Sequence, residues 1–334
     1  MNKRRILFSM VLSLGTMVFI AFTVGSRKVL ADLEDLNPRC LIALALDALA
    51  ILVVDGLRTK LILKKVPFGV CVKNSVWGFY ASALTPFAAG GQPFQIYHLV
   101  MSGVDFGEAS SAIALRFFCS FTFTVLSGFV FFLVYFDLFQ RMGLIGGVFT
   151  VGVVFAFSVY TFVLFLLFNR RVLRATFGSR FVLRILSLFS RRSLEESKAL
   201  LEERVGAYLE RIREFLKNRK WDFFVLFLMS ASMMVMIHLV SYLSLKAVDP
   251  KLSLSVFEIV SLQLAASMVV YFSPTPGASG TSELVYYIVY SSFEEGGYVT
   301  ASMFLWKFFT NYVFLLLGTF LGMMALVRKE KNRR

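Results

Sequence analysis

Two stretches of this chain place Pro and Gly inside apolar sequence that is otherwise long enough for membrane-spanning helix. The first is residues 84–93, Leu-Thr-Pro-Phe-Ala-Ala-Gly-Gly-Gln-Pro, and the second is residues 273–283, Ser-Pro-Thr-Pro-Gly-Ala-Ser-Gly-Thr-Ser-Glu. Pro removes a backbone donor and clashes with the preceding turn, and Gly costs extra backbone entropy. We therefore expect no continuous helix at either place, and we call the two stretches the first break and the second break.

The two breaks align with each other without a gap, at a constant difference in residue number (276 − 86 = 190). The identical positions are Thr85, Pro86, Ala88, Gly90 and Tyr97, which align with Thr275, Pro276, Ala278, Gly280 and Tyr287. Such self-similarity is the mark of an internal repeat. We predict two related halves, each containing one break.

The composition indicates an all-α, polytopic membrane protein, because 57% of the residues are hydrophobic, 17% are charged, and apolar runs of about 20 residues recur. The net charge of +14 does not indicate nucleic-acid binding, because the basic residues flank the apolar runs. Basic flanks instead mark the cytoplasmic side of a membrane protein. Cys40, Cys71 and Cys119 are isolated and have no spacing typical of metal ligands.

Charge placement predicts the topology of the first half, residues 1–168. An apolar run at 6–25 follows a basic N-terminus, and a second helix at about 40–57 leads to a basic loop that begins with Arg58. A long basic section follows at 169–221, and both basic segments should be cytoplasmic. Three apolar regions lie between them, so one must enter and leave by the same face. The region that carries the first break is the natural choice, as a hairpin at 75–108.

The second half, residues 222–334, shows the same arrangement with the opposite orientation. A span leaves the basic section, a hairpin at 255–293 carries the second break, and the last span ends in a basic C-terminus. We therefore expect an inverted repeat of two re-entrant hairpins, in the cell (cytoplasmic) membrane, with both termini cytoplasmic. Transporters of this type bind substrate near the bilayer midplane.

Residues 194–220 of the basic section form an amphipathic helical pattern. One interpretation is a helix that lies along the phospholipid headgroups. The alternative is a surface that binds a separate synthase or a second copy of the chain.

The second break contributes most of the candidate substrate-binding residues, which are Pro276, Gly277, Gly280, Thr281, Ser282 and Glu283. A half-helix should begin at Thr281, and its free N–H groups and positive dipole end favour a phosphate or carboxylate. Glu283 is either a cap for this helix or a functional acid, as counter-charge to a cationic headgroup or as a proton carrier.

The first break offers Gly90, Gly91, Gln92 and Gln95 as neutral groups that could line a polar cavity. The alternative is that the two amides satisfy backbone groups freed by the broken helix.

The spans that follow the hairpins contain Arg116 in the first half and Lys307 and Asn311 in the second, at nearly equivalent positions. A cation at membrane depth is costly unless it pairs or faces a cavity, so Arg116 and Lys307 are candidate phosphate ligands. Either could instead snorkel to an interface.

Two acids and two histidines are the remaining ionisable residues considered for a role within the helices. We expect Asp47 to pair with a cation such as Arg116, and Asp55 to lie at the membrane interface. His238 fits a packing role on an apolar helix, and His98 should lie near the end of a hairpin.

The second break resembles the Pro-x-Pro-Gly-Gly-x-Gly-x-x-Glu signature of the lysylphosphatidylglycerol synthase transmembrane-region family, and Gly90-Gly91-Gln92-Pro93 resembles its other Gly-Gly element. In the best-known members this region flips a lipid that a fused synthase domain has aminoacylated. The chain ends soon after its last span, so the resemblance implies the lipid-translocating part without the synthase domain.

We therefore expect a transporter or flippase for a phospholipid or lipid-linked anionic substrate, with no cofactor and no metal. No catalytic motif is evident. The alternatives are a non-catalytic scaffold for a separate synthase and an intramembrane lipid-modifying enzyme.

Overall fold

The computed structural model describes residues 35–168, 215 and 217–331 of the chain. These residues form eleven α-helices and one π-helical turn, with no β-strand among them. In chain order the elements are α1 Pro38–Ile62, α2 Phe68–Leu84, α3 Gly91–Met101, α4 Phe106–Val134, α5 Phe136–Arg141, α6 Leu144–Phe168, α7 Lys220–Val248, α8 Val256–Val270, α9 Thr281–Tyr290, α10 Gly296–Lys307, the π-helical turn Phe308–Tyr312, and α11 Val313–Lys331.

Four helical segments of this region are long and apolar enough to cross a membrane. They are α1, α4, α7 and the continuous stretch Gly296–Met324, which joins α10, the π-helical turn and α11. The prediction of an all-α membrane protein is therefore confirmed. The predicted helices at 6–25 and 194–220 lie wholly or mostly outside the described residues.

Both breaks interrupt the helices as expected. The first separates α2 from α3, and the second separates α8 from α9. Thr85 is extended (φ −120°, ψ 143°), as the steric clash with the following proline, Pro86, demands. Pro93 does not break a helix, because it lies in the first turn of α3, where a missing N–H is tolerated.

The backbone makes the same turn twice, at the spacing seen in the sequence. In the first break Ala88 N donates to Thr85 O and Ala89 N to Pro86 O, and in the second Ala278 N donates to Thr275 O and Ser279 N to Pro276 O. Left-handed backbone follows at equivalent positions, with φ of 56° at Phe87, 52° at Ala88, 60° at Gly277 and 53° at Ala278. The similarity in sequence therefore corresponds to the same turn at residues 85–89 and 275–279. The conformations differ at the next position, where φ is −79° at Gly90 and 87° at Gly280.

The helices pack in matching pairs. α1 and α7 lie against each other and are antiparallel, because Arg58 near the end of α1 contacts Ser230 near the start of α7, while Asn37 N donates to Ala247 O at the other end. α2 packs against α11, and α8 packs against α4. The helix before each break therefore contacts a long helix that follows the other break.

The structure also corrects a helix boundary. α1 continues to Ile62 instead of ending near residue 57, so Arg58 lies inside a helix and not in a cytoplasmic loop. The reason is that Arg58 is 2% exposed and makes its ion pair within the protein, so its charge does not require an aqueous loop. The helix before the first break begins at Phe68.

Candidate functional site

The two breaks touch each other. Pro86 and Pro276, which occupy equivalent sequence positions, form an isolated antiparallel bridge between their backbones. A Cβ atom at Gly277 would stand 3.1 Å from the backbone oxygen of Ala83, so the second break also lies close to the end of α2. Residues from the two halves therefore form one site.

An ion pair at the second break is sealed from solvent, since the side chain of Lys307 is 1% exposed and that of Glu283 is 0% exposed. Lys307 Nζ lies 3.1 Å from Glu283 Oε1, and it donates to Ser282 Oγ at 2.7 Å and to Gly277 O at 3.1 Å. Glu283 Oε2 accepts hydrogen bonds from Gly280 N at 2.9 Å and from Ser282 Oγ at 2.7 Å. Glu283 thus caps α9 and also ties it to the end of α10.

Hydroxyl groups surround this ion pair. Ser273 Oγ lies 2.9 Å from Thr275 Oγ1 and donates to Thr281 Oγ1 at 3.0 Å. Asn311 Nδ2 lies 3.5 Å from Gly277 O. The structure therefore brings together the predicted residues of the second break with Lys307 and Asn311. The site presents one carboxylate, one ammonium group, hydroxyls and a backbone carbonyl, which can bind a headgroup with charges of both signs.

The first break is held by neutral contacts. Thr85 Oγ1 accepts from Gly90 N at 2.8 Å. Gln95 and Asn74 bond to each other's backbone oxygens, at 3.3 Å and 2.8 Å, and so join α3 to α2. Gly91 is required for close packing, because a Cβ atom there would stand 2.0 Å from the Ser82 hydroxyl. Gly90 and Gln92 are half-buried at the same turn.

Arg116 lies in a second buried cluster. It forms an ion pair with Asp55 and donates to Thr59 Oγ1 at 2.6 Å. Arg58 pairs with the other carboxylate oxygen of Asp55 at 2.9 Å and donates to Ser120 Oγ at 2.7 Å. Asp55, Arg58 and Arg116 are 3%, 2% and 5% exposed. One carboxylate here serves two guanidinium groups, so these three residues carry a net positive charge.

Two expectations about these residues are wrong. Asp55 is buried instead of interfacial, and Arg116 pairs with Asp55 instead of Asp47. The two acids lie at different heights, because the eight residues of α1 between their positions span about 12 Å along the helix axis. Arg116 lies at the height of Asp55. His98 lies in the last turn of α3 as expected, and His238 is buried in α7.

Arg58 was not predicted as a member of this cluster. The signal was present, because Arg58 follows Asp55 by three residues, a spacing that places the two side chains on one helix face. Its partners Ser120 and Ser230 come from distant helices and carry no such signal.

The described residues contain no group of three His, Cys, Asp or Glu side chains that could hold a metal ion. In comparison with known proteins, a family model described as lysylphosphatidylglycerol synthase TM region matches residues 6–318, a range that includes both breaks and every residue of the site. No curated protein matches the chain.

Proposed function

The chain belongs to the lysylphosphatidylglycerol synthase TM-region family, and from that premise we propose that it moves a phospholipid or another lipid-linked anionic substrate across the membrane. The observation that carries the proposal is the buried Glu283–Lys307 ion pair beside the contact between the two breaks. Ionisable groups at membrane depth are costly and mark substrate or ion pathways. Because the charges meet where two helices are broken, the site combines exposed backbone groups with a pair of opposite charges.

We infer an inverted repeat with two re-entrant hairpins. Three observations support it: the same turn occurs in both breaks, the helices pack in equivalent pairs, and Pro86 bridges its own counterpart, Pro276. An antiparallel bridge between equivalent residues is the contact expected at a two-fold axis. With such an axis in the membrane plane, the hairpins enter from opposite faces, and both termini are cytoplasmic in the cell membrane. Rocking of one half against the other then alternates access to the site.

In the substrate complex the lipid phosphate competes with Glu283 for Lys307 at the start of α9, where the positive end of the helix dipole favours an anion. The Glu283 carboxylate is then available to a cationic headgroup. Gly90, Gly91 and Gln92 form the opposite wall, and Arg116 provides a second phosphate ligand in its net positive cluster. The proposed role is transport, because the buried ion pair lies beside the contact between two broken helices, the arrangement in which transporters bind their substrates.

The proposal is tested in proteoliposomes with a fluorescent anionic phospholipid and a membrane-impermeant quencher. Glu283→Gln removes the carboxylate that the proposed mechanism offers to the headgroup, and we expect it to slow lipid movement at least about tenfold, which corresponds to about 1.4 kcal/mol of activation free energy. Glu108→Gln, at an exposed acid in the first turn of α4, is the matched control and should not change the rate. Equal rates in wild type, Glu283→Gln and empty liposomes would refute the proposed function.

The inverted repeat has its own test. Single cysteines at Ala89 and Ala278, in a chain without Cys40, Cys71 and Cys119, are treated with an impermeant thiol reagent from each side. We expect Ala89 to react from the cytoplasm and Ala278 from outside. Reaction of both positions from the same face would contradict the inverted repeat.

A further inference from the structure

The described helices of the membrane domain bury three acidic side chains, and two of them are compensated. Asp55 and Glu283 each pair with a buried cation. Asp47, in the middle of α1, is 8% exposed, and its Oδ2 atom has no hydrogen-bond partner among the described residues. A fourth buried acid, Asp249, lies in the loop after α7 and accepts from a backbone N–H. Asp47 is therefore the acid that needs an explanation.

Asp47 lies at the height of the first break. α1 and α2 are antiparallel neighbours, and a Cβ atom at Gly56 would stand 2.8 Å from Val72 Cγ2. Asp47 precedes Gly56 by nine residues, and Ala81 follows Val72 by nine residues. Asp47 is therefore level with Ala81, near Leu84, the last residue of α2. A change of charge at Asp47 occurs where the first hairpin changes direction.

An isolated carboxylate in an apolar interior is far less stable than a carboxylic acid. We propose that Asp47 binds the proton that couples lipid movement to the proton gradient, a proposal that rests on the proposed function. When the two halves rock, the carboxyl group releases its proton to water on one side and takes up another from the opposite side.

No neighbouring cation removes the need for this proton. The elements packed against α1 are α2, α4, α7 and the π-helical turn. Their buried or half-buried titratable groups among the described residues are Cys71, Tyr80, Arg116, Cys119, Asp222, His238, Tyr242, Lys246 and Tyr312. Two of these groups are cations. Arg116 is shared with Asp55, about 12 Å along α1 from Asp47, and Lys246 lies in the last turn of α7, where it donates to Pro250 O at 2.6 Å. An ionised Asp47 would have no charge partner of its own.

The protonated state is tested with the wild-type protein and a hydrophobic carbodiimide, which reacts with protonated carboxyl groups in apolar surroundings. Mass spectrometry of the purified protein in lipid should find the adduct at Asp47 and not at Asp55 or Glu283, whose carboxylates are ion-paired. This readout needs no lipid movement and no variant. Labelling of Asp55 or Glu283 without Asp47 would overturn the proposal.

Coupling is tested in proteoliposomes by the steady-state distribution of fluorescent lipid between leaflets. A gradient of one pH unit should shift this distribution by up to about tenfold for one proton per lipid. Asp47→Asn should leave it unshifted. If wild-type protein moves lipid but the pH gradient has no effect, or a sodium gradient replaces it, coupling through Asp47 is wrong while the proposed function stands. If the wild type moves no lipid while Asp47 is labelled, the proposed function fails and protonation of Asp47 stands.

Discussion

Replacing Asp55 with Asn should be among the most damaging single changes in this protein. The substitution keeps the shape of the side chain but removes the carboxylate that Arg58 and Arg116 share, and both arginines are at most 5% exposed. Loss of one partner from a buried pair costs about 3–5 kcal/mol, because the remaining charge stays buried without compensation. Two guanidinium groups lose their partner here, so we expect a cost near the upper end of that range, about 4–5 kcal/mol.

This cost is measurable as thermal unfolding of the purified protein in detergent or lipid nanodiscs. At about 2 °C per kcal/mol, the transition should fall by roughly 10 °C. Asp137→Asn is the matched control, because Asp137 is exposed in α5 and a surface change of this kind stays within about 0.5 kcal/mol. If Asp55→Asn unfolds at the same temperature as Asp137→Asn, the cluster does not stabilise the fold and its net positive charge is not buried as described.

Two further predictions concern backbone geometry and are measured in the same unfolding assay. Gly277→Ala should lower the free energy of unfolding by about 1–2 kcal/mol, because φ is +60° there and the new Cβ would stand 3.1 Å from a backbone oxygen of α2. Ala278→Gly should raise the free energy of unfolding by up to about 1 kcal/mol, because it relieves a φ of +53°. The two substitutions should change the unfolding temperature in opposite directions. Changes of the same sign and size would show that left-handed backbone strain does not determine stability at this turn. Gly91→Ala should destabilise the first hairpin, since the Cβ would stand 2.0 Å from a serine oxygen, while Gly69→Ala, in open space at the start of α2, should be neutral or stabilising by about 0.5–1 kcal/mol. A stabilising Gly91→Ala would contradict the close packing of the hairpin arms.

Much of the architecture follows from local sequence. Apolar runs of membrane length predict the spans, and Pro86 and Pro276 predict the places where helices cannot continue, because both effects act within a few residues along the chain. The start of α9 at Thr281 was predicted for the same reason. The identity of the two breaks in sequence also anticipated the identity of their turns.

The pairing of buried charges could not be predicted from local sequence. The sequence does not show whether Arg116 lies at the height of Asp55 or of Asp47, because that depends on the axial register between α4 and α1. The direct bridge between Pro86 and Pro276 is likewise a contact between segments that lie far apart in the chain.

The sequence alone therefore determined the class of the protein, its broken helices and the residue types of its site, since these depend on local sterics and on the transfer of apolar runs into lipid. Only the tertiary structure decided which buried charges are neutralised and which acid is left without a partner. The physical reason is that charge compensation in a low-dielectric interior depends on distances of a few ångströms between side chains on different helices, and helix register sets those distances.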